Sequence, residues 1–124
     1  MVTGLSFTRS KRLLTAKDFQ FVFSSAEVKT SSPQLLLLAR FNQQSQSRLG
    51  LVIAKKHVKL AVTRNRLKRQ IRESFRLRAD NLPNLDIVVL ARQGCGDLDN
   101  PNFNRLLEKQ WKRLIRRAVE QSTP

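Results

Sequence analysis

An α+β fold, with helices packed on a four-stranded sheet as a two-layer α-β sandwich, is predicted for this chain by three observations. Apolar residues recur at a helical period in three separate segments. Apolar runs of strand length lie between them, in the order α-β-β-β-α-β-α. The 124 residues and 40% hydrophobic content suit one domain with one modest core. No linker divides the chain, so residues 1–124 are read as a single domain, with flexible ends expected at 1–10 and 121–124.

The first helix is expected over residues 15–23, where Thr15 caps and Asp18, three residues on, favours the positive helix start. Residues 27–30 read as a short strand. Ser31, Ser32 and Pro33 then punctuate the chain before an apolar run at 35–41, and the polar loop 42–47 leads to a further strand at 49–54, expected to lie adjacent to the previous one. A basic helix over 62–81 ends near Leu82 and Pro83, and 85–91 is the clearest buried strand. After Gly94 and Gly96, Asn100 and Pro101 open a last helix. Its stripe is Phe103, Leu106, Leu107, Gln110, Trp111, Leu114 and Ala118, with Trp111 expected in the core.

A formal net charge of +15 creates a field that gathers anionic partners and opposes compaction of the isolated chain. Nucleic acid is the expected ligand. No apolar run approaches the roughly 20 residues of a spanning helix, and no signal-peptide pattern is visible, so a soluble, cytoplasmic protein without a membrane partner is expected. Cys95 is the single cysteine, which excludes an intramolecular disulfide and a cysteine-based metal framework; between Gly94 and Gly96 it reads as a loop thiol.

The charge is concentrated. Ten of the residues 55–78 are Lys or Arg, against one acid, Glu73. The run is also periodic: Leu67, Ile71, Ser74 and Phe75 share one arc, while Lys68, Arg69, Arg72 and Arg76 share the adjacent arc with Asn65 among them. One stripe can be buried while the next meets phosphate. Like charges four residues apart, such as Lys68 and Arg72, repel by about 0.2–0.5 kcal/mol per pair, a cost that bound phosphate reverses. Arginine offers a planar fork of donors to phosphate, and the Asn65 amide can hydrogen-bond sugar or base edges.

Chemistry carried by the protein itself finds little material. His57 is the only histidine and lies among lysines, so a nucleophile and base could meet only through it. Asp97 and Asp99, between Gly96 and Pro101, read as turn and cap residues, and no phosphate-cradling glycine loop is present.

Lys55 and Lys56, the block Ala61, Val62, Thr63, Arg64, Asn65, Arg66, Leu67, Lys68, Arg69, and then Arg72 and Glu73, closely resemble the signature of the bacterial ribonuclease P protein subunit. Arg12 to Thr15 with Phe19 and Phe23, Gly50 and Leu51 leading to Lys55, the strand at 86–92 and the closing helix around Trp111 follow that family's order over nearly the whole chain. The resemblance implies a protein that binds a large catalytic RNA, one protein per RNA, and helps it remove the 5′ leader of precursor tRNA by Mg²⁺-dependent hydrolysis. The active site would then belong to the RNA.

It further implies RNA contact by Lys55, Lys56, Arg64, Asn65, Arg66, Lys68, Arg69 and Arg72, and a cleft for the single-stranded leader at Phe19 and Phe23. Aromatic faces stack on any base, as a protein accepting many leaders requires. By pattern alone Phe19, Val22 and Phe23 equally describe a core stripe, with Phe21 facing elsewhere. The family's βαβ crossover is left-handed, whereas the general rule for such connections draws it right-handed. Some relatives place an aromatic on the first long strand; here residues 35–38 are all leucine.

Two other classes share the charge. A small ribosomal or RNA-chaperone protein would be equally basic, but has no reason to require the Arg64, Asn65, Arg66 block together with an aromatic first helix. A DNA-binding regulator using the basic helix in a major groove lacks an evident helix-turn-helix partner.

Overall fold

The computed structural model of the chain describes residues 15–44 and 46–122. Its elements are α1 (Ala16–Ser25), β1 (Val28–Ser31), β2 (Leu35–Phe41), β3 (Arg48–Val52), α2 (Ala61–Arg78), β4 (Leu85–Ala91) and α3 (Asn100–Ser122). This is the expected α+β order. A 3-10 turn over Ala79–Asn81 carries the basic helix to the end anticipated for it. Arg12 to Leu14 and the tail residues 1–10, 123 and 124 lie outside the described residues. Residues 121 and 122, within the end expected to be flexible, are the last two of α3.

The sheet order is β1-β2-β4-β3, with β1/β2 and β2/β4 antiparallel and β4/β3 parallel. β2 and β3 are therefore not neighbours, as their closeness in sequence suggested: β4 is inserted between them. Its apolar run explains this. Leu85, Ile87 and Val89 on one face and Val88 on the other are all buried, which only a central strand covered on both sides can satisfy. The 42–47 loop must then cross two interstrand spacings, about 10 Å. It is tied to the start of β4 on the way: the Ser47 hydroxyl donates to the Pro83 carbonyl at 2.7 Å and accepts from the Leu85 amide at 3.1 Å. The parallel pair β3 and β4 is joined through α2, the βαβ unit to which the resemblance assigns a left hand.

One face of the sheet carries the main core. Leu35, Leu37, Ile87 and Val89 meet Leu67, Ile71 and Phe75 of α2 and the α3 stripe of Phe103, Leu107, Trp111, Leu114 and Ala118. The stripe's spacing of three and four residues keeps it on one side of the helix. Trp111 donates its ring N–H to the Ser74 hydroxyl at 2.7 Å, which accounts for a serine in the apolar arc of α2. The last turns of α3 cover the edge strand: Arg117 donates to the Lys29 carbonyl, and Gln121 to the Glu27 carbonyl at 2.6 Å.

Among the described residues the opposite face is covered in part by α1, whose Val22 is buried against Val88. The helix is started by the expected Thr15, as a full capping box: the Asp18 amide donates to Thr15 Oγ1 at 3.1 Å and the Thr15 amide to Asp18 Oδ2 at 3.2 Å.

Candidate nucleic-acid interface

Helix α2 turns its apolar arc into the core and leaves the basic arc outside. Asn65, Arg69 and Arg72 are exposed and share the outward side with Arg76. Among the described residues neither Arg69 nor Arg72 has a hydrogen-bond or ion-pair partner. The one acid of the run is consumed locally. Arg76 donates from Nε to Glu73 Oε2 at 3.2 Å, and this pairing holds the Glu73 carboxyl below its ordinary value. Lys68 is half-buried on one flank, and Lys55 and Lys56 are exposed in the turn before the helix.

The two other arginines of the block behave differently. Arg64 Nη1 donates to the carbonyls of Val58 at 2.9 Å and Lys59 at 2.8 Å, gripping the loop that enters the helix. Arg66 Nη1 donates to Gln70 Oε1 at 2.9 Å and Asn100 Oδ1 at 2.8 Å, and its Nη2 to the carbonyls of Leu98 at 3.2 Å and Gly96 at 3.4 Å. Positions two apart on a helix diverge by about 200°. Arg64 and Arg66 therefore reach the segments before and after α2, and Asn65 alone of the three points outward. Of the eight residues expected to meet RNA, three form the outward stripe and three flank it, while these two staple the helix in place.

The second surface lies on the α1 side of the sheet. Phe19 is half-buried, packing with Leu38, Val52 and Leu90 around Val22 and Val88. Phe23, one turn on, keeps 41% of its surface exposed. On the same face of the sheet Leu36, Leu90 and Val52 are cross-strand neighbours on β2, β4 and β3, an apolar row that stays partly exposed among the described residues. Phe19 thus serves the minor core and lines an open flank at once; the two readings of this stripe are not exclusive.

Phe21 faces the other flank of α1, as expected, and there it meets residues that pattern reading did not single out. The Arg40 guanidinium lies 4.3 Å from its ring centroid. Arg40, Asp86 and Arg48 are cross-strand neighbours on β2, β4 and β3. Arg48 forks onto Asp86 at 2.8 and 2.6 Å, and this bond raises its pKa above the ordinary arginine value. Asn42 adds a third donor to Asp86 at 2.7 Å. A signal for this cluster existed: Arg40 and Asp86 are the only charges inside two otherwise apolar runs.

Asp99 caps α3 through its Oδ1, which accepts from the Asn102 amide at 2.9 Å, as its position suggested. Cys95 does lie in a loop, within a 3-10 turn, but its side chain is fully buried, and burial raises the thiol pKa from 9.0 to about 11. No group of three or more His, Cys, Asp or Glu able to hold a metal exists among the described residues. No helix among them is long and apolar enough to cross a membrane.

The family model for Ribonuclease P matches residues 7–118. The chain is 59% identical over 110 residues to the ribonuclease P protein component of Ectopseudomonas mendocina, covering 89% of this chain and 82% of that one. It is 53% identical over 118 residues to the corresponding Pseudomonas aeruginosa protein, covering 95% and 87%. Among solved structures, the RNase P protein of Staphylococcus aureus superposes with a TM-score of 0.77 at 29% identity, over 85% of this chain and 97% of that one. The RNase P protein of Thermotoga maritima gives 0.71 at 33% identity, over 85% and 96%.

Proposed function

Because the chain belongs to the ribonuclease P protein family, we propose that it is the protein subunit of a ribonuclease P ribonucleoprotein, binding one catalytic RNA and assisting removal of the 5′ leader from precursor tRNA in the cytoplasm. The observation that carries this reading is the outward stripe of α2, where Arg69 and Arg72 have no partner among the described residues and no free carboxylate competes for them.

In this reading Asn65, Arg69 and Arg72, flanked by Lys68, Lys55 and Lys56, neutralise phosphates of the catalytic RNA. Arg64 and Arg66 hold that face rigid, so little ordering entropy is lost on binding. On the other side of the sheet, Phe19 and Phe23 stack on unpaired leader bases over the floor of Leu36, Leu90 and Val52, a sequence-tolerant contact of about 1–3 kcal/mol per base. The protein thereby lowers the cost of bringing leader phosphates close to an anionic ribozyme. Mg²⁺, which the family's reaction uses, acts with the catalytic RNA in this reading, and no step is routed through a protein-bound metal.

The test is cleavage of a 5′-extended precursor tRNA at low Mg²⁺ by a bacterial ribonuclease P RNA, with the protein, without it, and with the protein alone. Cleavage stimulated only in the combined sample supports the assignment. Cleavage by purified protein alone overturns the mechanism, and absence of stimulation overturns the function.

A further inference from the structure

The flank of α1 opposite Phe19 and Phe23 forms a groove of about 500 Å³ between α1, the end of β2 and the 42–47 loop, within the size range of small-ligand sites. We propose that this groove is a second nucleotide site, taking one unpaired RNA nucleotide by stacking on the Phe21–Arg40 pair. The inference rests on the RNA-binding function proposed above.

Four observations carry it. Phe21 is 52% exposed, so its ring is accessible from solvent. Arg40 lies against the ring at 4.3 Å and is held there by its Nη1 donating to the Ser25 carbonyl at 3.3 Å, so the pair is a preformed platform of aromatic and guanidinium planes, the two surfaces on which unpaired bases stack. Gln43 and Gln44, also lining the groove, are exposed, and among the described residues no hydrogen bond engages either side-chain amide, which leaves donors and acceptors for a base edge. Finally, both carboxylates that line the groove are engaged within the fold, Asp86 by three donors from Arg48 and Asn42 and Asp18 by the Thr15 amide in the capping box, while Lys17 stands exposed at the rim for a phosphate.

The site is distinct from the leader cleft because Phe21 and the Phe19/Phe23 pair project to opposite sides of the Val22 line that docks α1 on the sheet. A groove of this volume has room for a single nucleotide. It can come from the leader, continuing around α1, or from an unpaired segment of the catalytic RNA.

The experiment measures binding by wild type, Phe21→Ala and Phe21→Leu in three arms: leader-bearing precursor tRNA and leaderless tRNA, each with holoenzyme assembled at saturating protein, and catalytic RNA with protein alone. Stacking predicts that both variants lose affinity by about 5- to 150-fold in one arm. A loss confined to leader-bearing tRNA identifies the leader as the source; a loss in assembly identifies the catalytic RNA. Unchanged affinity in every arm, equal losses with leader-bearing and leaderless tRNA, or full retention by Phe21→Leu overturns the proposal. Because Phe21 is half-exposed, unchanged thermal midpoints are expected. Variants that stimulate precursor cleavage and bind as wild type remove this inference alone, whereas a wild-type protein that fails to stimulate removes the function on which it rests.

Discussion

Arg66 and Arg69 stand three residues apart on one helix and do different work. Arg66 spends both terminal nitrogens on acceptors within the fold, while Arg69 spends none on the described residues. Replacing Arg66 with Gln should therefore lower stability by about 1–3 kcal/mol and leave the salt dependence of RNA binding nearly intact. Replacing Arg69 with Gln should leave stability unchanged and flatten the slope of log affinity against log salt by about 0.7–0.9, the value of one phosphate contact. Salt titrations and thermal melts of the two variants check both statements; equal slope changes would put Arg66 on the RNA. This division could not be read from sequence, because three of the four acceptors of Arg66 are two backbone carbonyls and an amide some thirty residues downstream. Cys95 illustrates the same blindness. Its glycine neighbours placed it in a loop correctly but said nothing of its buried side chain. Since its folded pKa is raised from 9.0 to about 11, the unfolded chain releases the proton first. The associated stability is complete below pH 9 and is lost as pH rises toward 11, by up to about 3 kcal/mol. Urea melts of wild type and Cys95→Val over this range should converge or cross as pH rises; parallel curves would contradict the assignment.

At the scale of elements, α1 presents two aromatic flanks from one docked helix. Phe19 belongs to both the minor core and the open apolar floor, so Phe19→Leu is the informative change: it keeps apolar bulk and removes the stacking face. It should weaken leader-bearing precursor by about 5-fold or more while leaving leaderless tRNA unaffected, as measured by holoenzyme binding; equal losses would make Phe19 purely structural. The elements themselves were legible. Helical period, apolar runs of strand length, caps and breakers together located all three helices and all four strands. Strand neighbourhood was not legible, since the insertion of β4 between β2 and β3 is decided by which strand is apolar on both faces, a property of the assembled sheet. The Arg40, Asp86 and Arg48 row escaped notice for the same reason: its members are 46 or fewer residues apart in sequence and become neighbours only through that strand order.

For the whole molecule, +15 on 124 residues has two opposed consequences. Salt screens the self-repulsion of the free protein, so its thermal midpoint should rise between 10 and 200 mM NaCl. Salt also competes for RNA. With about six phosphates neutralised at a slope near 0.7 each, affinity should fall by roughly two to three orders of magnitude between 50 and 200 mM. A protein whose stability and affinity both fell, or both held flat, would not be using its charge in this way. The strand order has a further consequence, for synthesis. On a nascent chain β1 and β2 can pair as soon as they emerge, but β3 has no hydrogen-bonding neighbour until β4 follows it. The basic helix α2 thus leaves the ribosome before the strand that completes its half of the sheet exists. Helix α3, made after β4, then covers both the core side of the sheet and the edge of β1. Folding of this half must be late and collective, and a translation arrest before residue 85 would leave an unpaired strand and an uncovered polycationic helix exposed to the RNA-rich surroundings in which the protein is made.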